Sequence, residues 1–298
     1  MLVAVALAVV MSAGSGCGKQ EAPEPAASGA VATSTVDGDV LTIAIAGMVT
    51  PKSGLDYYLG LSEYVGRKVD REVRLIHKAD YSEVNEMLGE GTVDVAFVCS
   101  GPYARGHDEF GLELIAAPVV NGKPEYYSYI IAPESSEATS LAAMRGSVFA
   151  FADPESNTGC LVPTFMLADM GERPESFFKR TYFTYGHDNS IKAVATGEAD
   201  GAAVDSLIWD YQNATDPRYT VQTRIVQRSE AFAIPPVVAR SGLDPELVDE
   251  VRKTFLAAHE DPEGKVLLDH MKIERFVTIE DAAYDSIRRM SERIEERE

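Results

Sequence analysis

The stretch VFAFADPESNTGCLVPTFMLADM, residues 148–170, decides the fold. Its first five residues are a short apolar run of strand type, and residues 159–170 carry apolar side chains at helical spacing. Between the two runs lies Asp153-Pro154-Glu155-Ser156-Asn157-Thr158, made of loop formers and helix caps. A buried strand, a polar loop and a helix in that order form one unit of an α/β architecture.

Working outward, the same alternation recurs in both directions. Towards the N-terminus, strand patterns occupy 41–48, 72–77, 93–98 and 125–132, with helical spacing over 55–65 and 82–89. Around the central unit come a helix at 141–145, a strand at 181–185, a helix at 187–196 and a strand at 201–204. Strands at 223–229 and 236–239 then lead to helices at 245–258 and 279–296, too few elements for a third domain. This succession predicts two α/β lobes with mostly parallel sheets. Residues 40–132 and 235–298 are expected to build the first lobe and residues 133–234 the second. Two crossings between them would make a hinge.

Composition bounds what such a molecule can bind. The 298 residues include 27 Lys and Arg against 47 Asp and Glu, a net charge of −20, which excludes nucleic acid and anionic lipid surfaces as partners. An anionic ligand gains nothing from so acidic a field, so an anion site must rest on local donors such as helix N-termini. The three cysteines, Cys17, Cys99 and Cys160, match neither a zinc knuckle nor a redox pair, and no HxxH or HExxH pair occurs. Neither a metal nor another cofactor is expected. No phosphate-binding GxxxxGK[ST] loop is present, so the chain is not itself a P-loop ATPase.

Cys17 is distinguished by position. It follows the apolar run 1–11 and the small residues 12–16, the pattern of an export signal whose cysteine becomes lipidated. Residues 1–17 are therefore read as signal peptide and lipobox. Residues 18–39 are Ala, Pro, Glu, Ser, Thr and Gly with little to bury, a disordered tether with a root-mean-square reach of roughly 25 Å.

The chemistry centres on the helix start at Ser156, Asn157 and Thr158, where unpaired backbone N–H groups and the helix dipole favour an oxyanion. The same three residue types are preferred caps of any helix, and the segment alone does not separate the two roles. A second segment, Tyr185-Gly186-His187-Asp188-Asn189-Ser190-Ile191-Lys192-Ala193-Val194, followed by Gly201-Ala202-Ala203-Val204-Asp205, adds weight. Together with Asp80-Tyr81, Tyr126-Tyr127-Ser128 and Ile234-Pro235-Pro236-Val237-Val238-Ala239-Arg240, these stretches resemble the phosphate, phosphite and phosphonate-binding proteins of ABC transporters.

That resemblance implies a two-lobed type II periplasmic-binding-protein fold with the ligand in the cleft between the lobes. It implies an oxyanion held by Ser156, Asn157 and Thr158, contacted by His187 and by Tyr81 and Tyr126 from the first lobe, with Asp205 near the ligand's far side. Asn157 stands where many members carry Thr. The region of Pro235 and Pro236 is two residues shorter than in relatives whose acidic residue there helps to hold an amino group, which implies a smaller ligand without an amine. The implied partners are a small phosphorus oxyanion and an ABC permease, with the membrane reached only through the lipid anchor and the domain placed in the periplasm or at the cell surface.

Elementary chemistry is consistent with those roles. Ser, Thr, Tyr and Asn donate neutral hydrogen bonds, and His187 can donate from either nitrogen or as a cation. The Asp205 carboxylate can only accept, so it requires a proton on the ligand, which a phosphorus oxyanion supplies near neutral pH and sulfate does not. Ser100 and Tyr103 follow a strand's C-terminal end and are further candidates. Two other functions fit the same scaffold. One is a sensor subunit that presents ligand to a kinase. The other is an enzyme, for which Cys160 near His187 would be the nucleophile, although no paired carboxylates or cofactor motif support it.

Overall fold

A computed structural model describes residues 40–47 and 55–296. The signal peptide, Cys17 and the tether lie outside the described residues. The chain begins with β1 (Val40–Ala46), α1 (Leu55–Lys68), β2 (Glu72–Lys78), α2 (Tyr81–Gly89), β3 (Val95–Phe97), α3 (Ser100–Phe110) and β4 (Glu113–Val119). A short strand, β5 (Glu125–Tyr126), leads to β6 (Ser128–Pro133), β7 (Val148–Phe151), α4 (Val162–Asp169), α5 (Pro174–Phe177) and β8 (Arg180–Phe183). Next come α6 (His187–Ala195), β9 (Gly201–Asp205), α7 (Ser206–Thr215) and β10 (Thr223–Arg228). The return runs through β11 (Phe232–Ala233), β12 (Val237–Ala239), α8 (Pro245–Ala257), α9 (Pro262–Met271), β13 (Arg275–Val277) and α10 (Asp285–Glu295).

These strands form a six-stranded sheet, β13-β4-β12-β3-β1-β2, and a five-stranded sheet, β10-β6-β9-β7-β8. Each sheet needs apolar cover on both faces, which explains why β1 and β9 read as unbroken buried runs rather than alternating ones. In the second sheet, Phe149 and Phe151 pack with Phe177 and Phe178 on one face, while Ile131, Ala150 and Val204 meet α6 residues Ile191 and Val194 on the other. Between the sheets, β5 and β11 pair antiparallel as a two-stranded ribbon, with Phe232 opposite Tyr126. Behind it, α10 packs on α3 and on α4.

Two expectations need correction. The run 125–132 is not one strand of the first lobe: β6 belongs to the five-stranded sheet, so the chain leaves the first sheet before residue 128 rather than near Ala132. The sheets are mixed rather than mostly parallel. Strands β1, β2 and β3 run parallel, as do β7, β8 and β9, but β6 and β12 enter their sheets antiparallel to their neighbours at the two crossings, and β10 and β13, reached through α7 and through α8 and α9, lie antiparallel to β6 and β4 beside them. Among the described residues no helix is long and apolar enough to cross a membrane.

Candidate functional site

The central strand–loop–helix unit folds differently from a plain helix start. Residues Asn157–Leu161 wind as one turn of π-helix, and α4 begins only at Val162. Pro163 is the cause: it has no N–H to donate to the carbonyl of Gly159, which accepts instead from the Ala152 N–H at 3.2 Å. Ser156 caps the turn, its Oγ accepting from the Gly159 N–H at 3.0 Å. Gly159 is required by close approach, since a methyl group there would stand 2.5 Å from Ala152 Cβ and 3.0 Å from His187 Cε1.

His187 reaches this turn from α6. The preceding Tyr185 takes a left-handed conformation (φ 52°) and donates its N–H to the Ala152 carbonyl at 2.7 Å, which brings the start of α6 against the Ser156 turn. The His187 ring is buried, and its Nδ1 accepts the backbone N–H of Asp205 at 3.1 Å. Burial drives its pKa down to about 3, so the ring is neutral and its one proton sits on Nε2. The expectation that His187 donates from either nitrogen or as a cation narrows to a single Nε2–H donor.

Residues of the first sheet and of the ribbon close over these groups. Asp80 caps α2 and so places Tyr81 in its first turn, from where the hydroxyl lies 3.4 Å from His187 Nε2 and within reach of Ser156. The Tyr81 N–H donates to Asp153 Oδ2 at 3.3 Å. From β5, the Tyr126 hydroxyl accepts from Asn157 Nδ2 at 2.9 Å and touches Cys99 Sγ at 3.9 Å. Burial holds both phenols well above their usual pKa, so they remain O–H donors. Tyr81, Tyr126, Ser156, Asn157, Thr158, His187 and Asp205 thus converge on one buried place, each at most 2 % exposed.

Two polar atoms in that place, Asn157 Oδ1 and Thr158 Oγ1, are buried without a hydrogen-bond partner among the described residues. Such groups cost about 1–3 kcal/mol each, and the other neutral side chains of the site do not relieve them. Ser128, not anticipated from the sequence, donates to the Thr158 carbonyl at 2.6 Å and fixes the turn from β6. Asp205 ends β9 and caps α7, its Oδ1 accepting from the Leu207 N–H at 2.7 Å, with the Ile208 N–H also holding the carboxylate. Loss of water lifts its pKa to about 7, outweighing those bonds, which pull it down.

Of the remaining candidates, Ser100 borders the convergence, its hydroxyl within reach of the Tyr126 hydroxyl, and Tyr103 stands apart from it. Ser100 donates to the Ala233 carbonyl at 2.7 Å, which ties α3 to β11. Tyr103 points away from the cleft, its hydroxyl donating to Asp281 Oδ1 at 2.8 Å in the seam between α3 and α10. Burial raises the Cys160 thiol to about 12 and the Cys99 thiol to about 11, so neither is the activated thiolate that a nucleophilic mechanism needs. Among the described residues no cluster of three or more His, Cys, Asp or Glu could hold a metal ion.

Comparison with known proteins gives a concordant result. Residues 43–284 match the family model described as ABC transporter, phosphonate, periplasmic substrate-binding protein. The Phosphate-import protein PhnD of Mycolicibacterium smegmatis is 27% identical over 268 residues, covering 85% of this chain and 80% of that protein. Among solved structures, a binding protein component of an ABC phosphonate transporter from Pseudomonas aeruginosa superposes with a TM-score of 0.80 at 23% identity, covering 88% of each chain. PhnD1 of Prochlorococcus marinus, solved in complex with methylphosphonate, superposes with a TM-score of 0.79 at 18% identity over 86% of this chain and 98% of the other. The two superpositions establish the two-lobed fold.

Proposed function

The chain belongs to the periplasmic substrate-binding proteins of phosphonate ABC transporters, and on that premise we propose that it holds a small phosphorus oxyanion among Tyr81, Tyr126, Ser156, Asn157, Thr158 and His187 and hands it to a membrane permease. One observation carries the assignment of the site: two buried oxygens without partners among the described residues, Thr158 Oγ1 and Asn157 Oδ1, sit inside a set of neutral donors that the two sheets bring together. The Thr158 hydroxyl donates to a ligand oxygen. Asn157 accepts from a P–OH, or turns its amide and donates. Neutral donors suit an acidic protein, since no Lys or Arg is drawn into its ion-pair networks at the expense of the site.

Asp205 gives the site its preference for phosphorus. Above about pH 7 its carboxylate is ionised and only accepts, so the ligand must bring the proton. Phosphate does so as its monohydrogen form, and phosphite or a phosphonate does so as its monoanion, both present near neutral pH. Sulfate carries no proton near neutrality and meets repulsion instead. Cys17 carries a lipid that anchors the domain at the membrane, and residues 18–39 let it reach the permease.

Calorimetric titration near pH 7 tests this reading. Phosphate, phosphite or methylphosphonate should bind at least tenfold more tightly than sulfate, and Asp205→Asn should narrow the gap by about ten- to a hundredfold, the scale of a hydrogen bond to a charged group. Failure of every phosphorus oxyanion to bind would refute the assignment.

A further inference from the structure

A buried carboxylate, Asp153, stands between β7 and the Ser156 turn, in the loop proposed to hold an anion. A second negative charge there opposes an anionic ligand, so the loop must gain something from it. Part of the gain is local. Oδ1 accepts the Glu155 N–H at 2.8 Å, and the Asp153 carbonyl accepts the Ser156 N–H at 3.0 Å, bonds that shape the turn within the second lobe. Oδ2 reaches across the cleft instead, accepting at 3.3 Å the N–H of Tyr81, the first residue of α2 on the other lobe. That N–H has no acceptor within its own helix, as holds for any first turn. Asp80, which caps α2, is engaged with Ser82, accepting from its N–H at 2.8 Å and from its hydroxyl at 2.7 Å.

Resting on the oxyanion reading above, we propose that Asp153 is a positioning residue, whose two oxygens hold one N–H from each lobe and so fix the Tyr81 hydroxyl against His187 and the Ser156 turn when the cleft closes. The need for Asp rather than Asn follows. Both cap a turn equally well. An amide has a single acceptor oxygen, so an Asn holding the Glu155 N–H would turn its NH2 towards the Tyr81 N–H, donor against donor. Only a carboxylate serves both lobes. Burial pushes the Asp153 carboxyl up from its ordinary value, the N–H groups of Glu155 and Tyr81 pull it down, and Asp80 across the seam pushes it up again. With the lobes apart, Oδ2 and the Tyr81 N–H each face water, and closure exchanges those contacts for one charge-assisted bond. Arg105 of α3 pairs with Glu155 beside it, so the seam carries two links, one partly exposed and one buried.

Asp153→Asn separates this role from its rivals by sign. A residue that only shapes the turn would be replaced without loss, and one that only adds negative charge near the ligand would leave anions bound more tightly once it is neutral. The positioning role requires weaker binding, by about ten- to a hundredfold, the scale of a hydrogen bond to a charged group. The loss should be alike for methylphosphonate, phosphate and phosphite, because Asp153 acts through Tyr81 rather than on the ligand's proton. Stopped-flow traces should place it in the dissociation rate, since the bond forms after encounter. Amide hydrogen exchange gives a readout on the wild-type protein that depends on no variant folding: the Tyr81 N–H should exchange about tenfold or more slowly at saturating methylphosphonate than without it. An Asn variant that binds as tightly as wild type or more tightly, or a Tyr81 amide that exchanges at one rate with and without ligand, overturns the positioning role while leaving the oxyanion reading intact. If methylphosphonate, phosphate and phosphite all fail to bind wild type, the oxyanion reading falls and the positioning role falls with it.

Discussion

The backbone N–H of Asp205 donates to Nδ1 of His187 across 3.1 Å, joining the end of β9 to the start of α6. One hydrogen bond thereby sets the tautomer of the ring, because a nitrogen that accepts cannot carry the proton. Nε2–H is left facing the Tyr81 hydroxyl and the Ser156 turn.

His187 should therefore act as a neutral donor throughout the physiological range. With a pKa of about 3, ligand affinity will show no step attributable to imidazole between roughly pH 5 and 8. Nitrogen-15 spectra of the ring should report the Nε2–H tautomer unchanged over that interval. His187→Ala should weaken binding about ten- to a hundredfold, with His187→Gln losing less because it retains both an acceptor and a donor. A midpoint at about pH 6.5, the ordinary imidazole value, in the ring's nitrogen-15 spectra would contradict the neutral ring.

Asp205 should destabilise the folded protein in the opposite pH window from His187. Its folded pKa of about 7 lies above the ordinary 3.8, so the folded state binds more protons and stability falls as pH rises between those values. For His187 the folded value lies below 6.5, so stability falls as pH drops from about 6.5 towards 3. The difference between wild type and Asp205→Asn isolates the first effect, since Asn still caps α7. The variant should equal wild type at about pH 4 and exceed it above about pH 7 by up to a few kcal/mol, because each tenfold change in proton affinity corresponds to about 1.4 kcal/mol. Denaturant melts at about pH 4, 6 and 8 measure it, and an unchanged difference across that range would exclude a raised Asp205.

Thr158→Val should trade binding for stability. The hydroxyl is buried without a partner among the described residues, so replacing it by a methyl group of similar shape removes a desolvation cost of about 1 kcal/mol or more. Thermal unfolding should move upward while affinity for phosphorus oxyanions drops by about tenfold. A variant that is both less stable and unaltered in binding would assign Thr158 a packing role.

How far the sequence exposes this site depends on the kind of signal each residue leaves. Ser156, Asn157, Thr158 and His187 stand at helix starts, where local chemistry marks them. Tyr81 and Tyr126 carry no local mark, and only the resemblance points to them. Ser128 and Cys99 are invisible in sequence, because their roles come from contacts across elements: Ser128 faces Asp205 in the pairing of β6 with β9 and reaches the Thr158 carbonyl from there. Likewise α3 escapes a reading by pattern because Gly101, Pro102 and Gly106 look like loop formers. In the fold Pro102 falls in the first turn, where its missing N–H costs nothing, and Gly106 admits Leu112 against the helix, where a methyl group would stand 2.5 Å from Leu112 Cδ1.

Gly101 offers the sharpest test that the lobes work as a clamp. It lies in the first turn of α3, and a methyl group on it would stand 2.6 Å from the Glu155 carbonyl oxygen and 3.4 Å from the Asn157 backbone nitrogen. Both atoms belong to the segment that follows β7, so the clash falls on the seam between the two sheets and not within either core. Beside it Arg105 pairs with Glu155, a contact that is partly exposed and worth less than about 1 kcal/mol. Gly101→Ala should leave the separate lobes intact, since Ala favours a helix over Gly by up to about 1 kcal/mol. It should instead hold the cleft ajar. The expected result is unchanged or slightly raised thermal stability without ligand, affinity for methylphosphonate lowered at least tenfold, and a radius of gyration at saturating ligand that stays above that of wild type. Arg105→Ala should produce a much smaller loss that disappears at high salt. If Gly101→Ala binds as tightly as wild type and scatters identically when saturated, ligand capture does not require these surfaces to meet, and the clamp is wrong.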